Sequence, residues 1–416
     1  MQTLSLFIYN ISIRLLGLAI LLASFFNKKA KQWIEGRQNW RNQLRGLKQG
    51  DGKRIWLHCA SLGEFEQARP VIEKLRTERK DDLIVVSFFS PSGYEIRKNY
   101  AGADLVIYLP LATAGNAKEF RTLLRPDLVL FVKYEFWFHY LNELKQQNIP
   151  VILFSAVFRS NQVFFQWYGG LFRHILSCYR KIFVQNSESQ KLLQTIGVAS
   201  EVANDTRFDR VYQIAKDRRS FLAIEKFKTG SKVLIAGSTW PKDEELLIQC
   251  INEDILKEYK YILAPHNLND ERIAQTINSI KARARRFSVL TEQNAAETDV
   301  VIIDNIGNLA SLYAYGEMAY VGGGFNASVH NVLEAAVYQI PVLFGPNFQK
   351  SEEAKELLQL SLAFDITDHI SLKEKLLHID ATIAGKAATK KKIGDYIEAH
   401  LGGTDEIVKA AKGLLK

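Results

Sequence analysis

Short apolar runs alternate with helix-period segments along this chain, and that alternation restricts the fold more than any other feature. Segments 54–59, 83–89, 105–108, 128–132, 151–154 and 181–184 have the length and apolar content of buried strands. Helix-like stretches 66–76, 134–147 and 188–196 lie between them. Strands joined through helices pair in parallel, and helices then cover both faces of the sheet. The pattern breaks over 205–230, where charged and turn-forming residues crowd together. It restarts at 232–236, 261–263, 287–290, 300–303, 318–321 and 341–344. The expected fold class is therefore α/β, with two such domains at 31–215 and 216–416 behind an N-terminal anchor helix at 1–30. With 416 residues, each half is long enough for its own core. Domains of this kind bind ligands beyond the C-terminal ends of their strands, so the expected site is a cleft between the two.

The most apolar segment is 4–26, LSLFIYNISIRLLGLAILLASFF. It reaches the roughly 20 residues a bilayer demands, although Asn10 and Arg14 interrupt it. Lys28, Lys29 and Lys31 follow and would hold that side cytoplasmic, with Trp33 suited to the interface. No small-residue cleavage site follows, so the segment reads as an uncleaved anchor. A helix in the membrane plane, or an amphipathic helix of the core, is the other reading. Arg37, Arg41, Arg45 and Lys48 continue a basic face suited to anionic headgroups. A formal net charge of +9 favours anionic partners. No basic run interleaves with aromatics, so a membrane surface or a phosphorylated ligand is expected and nucleic acid is not. Cys59, Cys178 and Cys250 lie far apart in apolar stretches and no C-x-x-C occurs, which points to core thiols rather than a disulfide framework or zinc site.

The stretch 321–346, VGGGFNASVHNVLEAAVYQIPVLFGP, reads as strand, glycine loop, helix and strand. Gly322, Gly323 and Gly324 permit a turn and close approach, and Ser328 or Asn331 can cap a helix beginning near His330. A glycine loop feeding a helix N-terminus suits phosphate. Glu334, one turn in, suits ribose hydroxyls, or is simply a solvated helix residue. Three further strand-end loops belong to the same half: Ser238 and Thr239 in GSTW, Pro265-His266 in APHN, and Ile306-Gly307-Asn308 in DNIGNL. In the first half, Glu64 follows a strand and opens a helix, where it is either a general base or a carboxylate favoured by the helix dipole. Glu135 ends another strand on the same edge. His58, inside its strand, reads as a core histidine. Arg207 suits an anionic substrate or a salt bridge to Asp205 or Asp209. No D-x-D and no GxxxxGK[ST] occurs, so neither a metal-bound diphosphate nor a P-loop is expected.

ASLGE from Ala60, YEFW from Tyr134, DTRFD from Asp205, APH from Ala264, IGN from Ile306 and HNVLEAA from His330 stand in an order that resembles the 3-deoxy-D-manno-octulosonic acid (Kdo) transferases. The resemblance runs from the N-terminus to about Leu360 and looks most like Bacteroidetes members. It implies a GT-B fold of two Rossmann-like domains and an inverting transfer of Kdo from CMP-Kdo to a lipid A precursor in lipopolysaccharide assembly. It further implies a place on the cytoplasmic side of the inner membrane; the lack of D-x-D or a ligand cluster leaves no metal or other cofactor expected. By motif, Glu64 resembles the catalytic base, and Glu135 and Arg207 the residues that stabilise the transition state. CMP contacts fall on Pro265, His266, Ile306, Gly307, Asn308, Asn331, Val332, Leu333 and Glu334. This chain departs from many members at Phe138 (Pro), Arg207 (Lys) and Asn308 (Glu), and lacks an Arg between Pro265 and His266. The competing readings are another GT-B nucleotide-sugar glycosyltransferase, an enzyme like UDP-GlcNAc 2-epimerase, and a non-catalytic tethered binder.

Overall fold

The computed structural model describes residues 2–47, 50–383 and 385–415. They form two compact units, one of residues 1–209 with 400–416 and one of 210–399. Each unit is built on a seven-stranded, all-parallel sheet.

In the first unit the strands are β1 (Arg54–Cys59), β2 (Leu83–Phe88), β3 (Leu105–Tyr108), β4 (Leu128–Val132), β5 (Val151–Ala156), β6 (Lys181–Val184) and β7 (Glu201–Val202). Their order is β3-β2-β1-β4-β5-β6-β7. The interior strands are buried on both faces, which is why they read as continuous apolar runs without alternation. The chain reverses its direction of travel across the sheet between β1 and β4, and such a switch point leaves a crevice beyond the strand ends.

The second unit contains β8 (Lys232–Thr239), β9 (Tyr259–Pro265), β10 (Ala284–Arg286), β11 (Val300–Ile302), β12 (Met318–Val321), β13 (Val342–Phe344) and β14 (Ala363–Asp365). Their order is β10-β11-β9-β8-β12-β13-β14, with the switch point between β8 and β12.

Three local expectations fail. The run at 287–290 is not a strand: Phe287–Val289 is a 3-10 turn, and the edge strand β10 precedes it. Ala284, Arg285 and Arg286 are only half-buried there, so an edge strand has no apolar signature to read. The charged stretch after Asp205, read as turn-rich, is the helix Thr206–Lys216. The tail does not stay with the second domain. Helix Gly403–Leu414 packs Ile407, Val408 and Ala411 into the core of the first unit beside Leu57, Val71 and Leu75. Its start is fixed by Asp209, whose carboxylate accepts from the N–H groups of Gly402 and Thr404, both at 2.7 Å. A Cβ at Gly403 would meet the Asn204 carbonyl oxygen at 2.0 Å, so only glycine fits.

The N-terminal helix, Gln2–Ala23, contains a 20-residue stretch of mean hydropathy 2.0, long and apolar enough to cross a membrane. One face is pinned to the first unit. Leu6 and Tyr9 pack on its core, Ile13 is buried, and a Cβ at Gly17 would meet the Leu111 side chain at 2.8 Å. Asn10, an interruption in the sequence pattern, accepts from His139 Nε2 at 2.6 Å. The opposite face, with Leu4, Phe7, Leu15, Leu18 and Leu22, is exposed.

Part of the basic face expected beyond this helix is used inside the protein. Arg37 is buried and donates to the carbonyls of Leu109 (2.7 Å), Trp33 (3.0 Å) and Phe89 (2.6 Å). Burial lowers its pKa to about 9, against the smaller opposing influence of Tyr108 and Tyr140. Trp33 is buried under the same guanidinium rather than facing an interface. Arg41 makes a bidentate pair with Glu119, both bonds at 2.7 Å. Arg45 is exposed. Lys48 lies outside the described residues.

Candidate active site

The first cluster grows from the two strands at the switch point of the first sheet. β1 ends at Cys59, and Ser61, in extended conformation, caps the helix Leu62–Glu78. Glu64 closes a reciprocal capping box: its Oε2 accepts from the Ser61 N–H at 3.0 Å and from the Ser61 hydroxyl. The helix-terminal carboxylate weighed from sequence is thus present, and both bonds fall on one oxygen. The box fixes the orientation of a half-buried acid at a strand end.

β4 ends at Val132, and Lys133 takes a left-handed turn at φ 61°. This places Glu135 in a site where it is 5% exposed. Its Oε2 accepts from His58 Nε2 at 2.6 Å and from the Trp137 indole at 2.5 Å. Its backbone carbonyl accepts from the Tyr179 hydroxyl at 2.5 Å. A carboxylate only accepts, so His58 Nε2 carries its proton. The other ring nitrogen of His58 lies 2.8 Å from Ser87 Oγ, and that hydroxyl accepts from the Trp56 indole at 2.7 Å. The sequence reading of His58 as a core residue is right about its burial and misses its partner. The register of β1 against β4, with His58 beside Phe131, is what brings the pair together. Both acids act on Cys59: burial first, then the charges of Glu64 and Glu135, push its thiol well up, which leaves it inert as a nucleophile.

Arg207 is held by Asp205. Its Nε and Nη2 donate to Asp205 Oδ2 at 3.0 and 2.8 Å, and its N–H donates to Oδ1 at 2.9 Å. Asp205 also accepts from Gln67, one turn beyond Glu64, at 2.9 Å, and from Gln185 at 2.6 Å. Burial raises the Asp205 pKa, but the charge and hydrogen bonds of Arg207 outweigh it, with help from Lys133, and the carboxyl sits below its ordinary range. Arg207 is therefore tethered beside the helix that carries Glu64. Lys133 is a cation of this neighbourhood that sequence reasoning missed.

The second cluster sits on the C-terminal ends of β8, β9 and β12. Trp240, His266 and His330 stack nearly parallel, with His266 ring centroids 4.6 Å from Trp240 and 4.7 Å from His330. The Trp240 indole donates to His330 Nε2 at 3.0 Å. Burial, and then the proximity of His266, lowers the His330 pKa to about 4, so the ring is neutral near pH 7 and free to accept. His266 is lowered in the same direction by burial. Asp243, fully buried, ties the cluster together: it accepts from the Trp240 N–H (2.8 Å), the Tyr320 hydroxyl (2.6 Å) and the Gly323 N–H (3.1 Å). The glycine run is needed for this approach. A Cβ at Gly322 would meet the Ser238 carbonyl oxygen at 2.3 Å, and Gly323 has φ 93°.

Some expected donors are otherwise occupied. Thr239 is buried and bonds Glu244 at 3.1 Å, so the Trp240 indole, not that hydroxyl, is the polar group this loop brings to His330. The helix after the glycine loop, expected to begin near His330, is the single turn Leu333–Ala336. Asn331 accepts from the Leu333 N–H at 3.2 Å and donates to Glu334 Oε1 at 3.4 Å. Val332 and Leu333 have fully buried side chains, so they offer a ligand only backbone. Burial raises the Glu334 carboxyl, opposed by Arg210 and by the Asn331 bond. Pro265 ends β9. In the neighbouring loop Ile306 is 91% exposed, Gly307 has φ 95°, and Asn308 donates to Asn305 at 2.7 Å. Among the described residues, no group of three or more His, Cys, Asp and Glu side chains could hold a metal ion.

Residues 36–210 match the family model described as 3-deoxy-D-manno-octulosonic-acid transferase (kdotransferase). The 3-deoxy-D-manno-octulosonic acid transferase of Aquifex aeolicus is 29% identical over 354 residues, which cover 83% of this chain and 92% of that protein. The chain shares a domain with the Kdo transferases over residues 36–210 and resembles them over most of its length. It is a glycosyltransferase of GT-B fold class. Among solved structures, the chain is similar to UDP-GlcNAc 2-epimerase from Neisseria meningitidis, with a TM-score of 0.57, 14% identity, and coverage of 86% of this chain and 100% of that one. It is likewise similar to the calicheamicin glycosyltransferase CalG4, with a TM-score of 0.55, 11% identity, and coverage of 88% and 98%. At such identities the likeness concerns fold alone, and one fold serves both epimerase and transferase.

Proposed function

We propose that this transferase moves Kdo from CMP-Kdo to the hydroxyl of a lipid A precursor in lipopolysaccharide assembly, with inversion and without a metal. It would work at the cytoplasmic face of the inner membrane, held there by the exposed apolar face of the N-terminal helix. The observation that carries the catalytic part is the pair of acids at the switch point of the first sheet, Glu64 after β1 and Glu135 after β4. In this reading Glu64 accepts the proton of the attacking hydroxyl. Glu135, with His58 behind it, and Arg207 stabilise charge as the bond to CMP breaks. Arg207 is also suited to the Kdo carboxylate.

The donor nucleotide belongs to the second unit. Pro265, His266 and the neutral His330 offer stacking surface and polar ring edges. Backbone N–H groups of the 306–308 and 331–334 segments serve the phosphate, and Glu334 serves the ribose. CMP leaves as a monoester, whose charge N–H donors can balance without a cation. Nucleotide release by the purified full chain is the test, with CMP-Kdo or UDP-GlcNAc as donor and a lipid A precursor as acceptor. Acceptor-dependent release of CMP supports the reading. Conversion of UDP-GlcNAc alone to its C2 epimer, read by chromatography of the sugar nucleotide because it releases no net UDP, would replace it with the epimerase.

A further inference from the structure

The N-terminal helix does more than expose an apolar face. Helix Phe138–Gln146 starts three residues after Glu135, and its N-cap, Trp137, makes no side-chain capping bond. A helix start without a cap has free N–H donors that need acceptors. The Phe138 N–H finds one in the Tyr9 hydroxyl, at 3.1 Å. The Tyr9 ring meets Phe138 and His139 edge-on, at 5.9 and 5.7 Å between centroids. One residue further, His139 Nε2 donates to Asn10 at 2.6 Å. Burial lowers the His139 pKa, so near neutral pH this is a neutral ring using its single N–H.

The turn is gripped from the other side as well. The Trp137 indole donates to Glu135 Oε2 and stacks on Phe89 at 5.0 Å, while the Phe89 carbonyl is held by Arg37. Residues 135–139 are thus fixed at one end by His58 and Phe89 and at the other by Tyr9 and Asn10. A shift of Phe138 moves Trp137, and Trp137 carries one of the two donors on the Glu135 carboxylate.

We infer that the N-terminal helix is a working part of the catalytic turn, with Tyr9 a positioning residue for Glu135 and Asn10 supporting it through His139. This rests on the reading that Glu135 takes part in transfer. It makes the membrane-facing helix a strut of the active site, so seating it would set the geometry of the acid and not only the location of the enzyme.

The test uses the full chain, CMP-Kdo and a detergent-dispersed acceptor, so that tethering plays no part. Tyr9→Phe keeps the ring and the apolar character of the helix and removes only the acceptor. Asn10→Leu does the same for His139. Each is expected to lower kcat roughly five- to 150-fold, the range for leaving a buried donor unpartnered. The KM for CMP-Kdo should stay unchanged, as should the membrane-bound fraction on sedimentation. Glu135→Gln is run alongside. If Glu135→Gln is crippled while both helix variants keep wild-type kcat, the inference falls and the role of Glu135 stands. If Glu135→Gln is fully active, the reading of Glu135 falls and takes the inference with it. A loss in the helix variants that follows melting below the assay temperature, or that raises the KM of both substrates, also overturns it, because general loosening would produce that pattern.

Discussion

Glu64→Gln separates the two roles that geometry gives this residue. The capping box needs an acceptor at the third helical position, and glutamine supplies one at nearly the same place. The Ser61 N–H therefore keeps its partner, and the melting temperature should stay close to wild type. Glutamine cannot take a proton, so the base is lost outright. General-base catalysis is worth about 10²–10⁴-fold, or roughly 2.7–5.4 kcal/mol of barrier. Calorimetry should show CMP binding unchanged, since the proposed nucleotide contacts lie beyond residue 264 in the second unit. Glu64→Ala is the useful contrast, because it removes base and box together and should also cost about 0.5–2 kcal/mol of stability. The assay is steady-state release of CMP at fixed acceptor, with thermal unfolding of each variant. A Glu64→Gln enzyme retaining more than about a tenth of the wild-type rate would refute general-base catalysis by this residue.

Other outcomes follow from the second unit and from the charges of the site. Glu334→Ala should weaken CMP binding by about 1.5–3 kcal/mol in calorimetry, the range for a hydrogen bond to a charged group; unchanged affinity would make Glu334 a structural acid. His330 has a folded pKa near 4 against an ordinary 6.5, so stability linked to its neutral form is complete above about 6.5 and is lost as pH falls toward 4. Unfolding midpoints measured across that range should decline, and in His330→Phe the decline should be shallower; an identical slope would show that another group controls it. Transfer should continue in excess EDTA, because the donor set of the site is nitrogen-bound acids and stacked rings; complete loss restored by Mg²⁺ would contradict the proposed mechanism.

Much of the frame was legible because buried parallel strands must be apolar throughout. β1, β3, β4, β6 and β12 have the bounds read from the sequence. What was not legible has physical causes. β10 is an edge of two arginines and an alanine, and edges need no apolar side chains. The last helix joins the first core through contacts some 190 residues apart along the chain, such as Asp209 with Gly402, and periodicity carries no such information. At the site, Glu64, Glu135 and the 331–334 segment stand out by position at strand ends. Their partners do not. His58 looks like any buried strand residue until β1 is set beside β4. Asp243 looks like one charge among several in a polar helix start, yet it holds Trp240, Tyr320 and Gly323 together from full burial. Arg37 was legible as a surface cation, and folding turned it into a buried clamp on three carbonyls.

The central claim is the transfer itself, and its product tests it most directly. The purified full chain is incubated with CMP-Kdo and a tetra-acylated lipid A precursor, and the lipid is analysed by mass spectrometry beside a Glu64→Gln control. The expected result is the precursor carrying one or more added Kdo units with wild-type enzyme, and unmodified precursor with the control. Unmodified precursor with wild-type enzyme that is folded and binds CMP, or an equal yield of product from the control, would contradict the account.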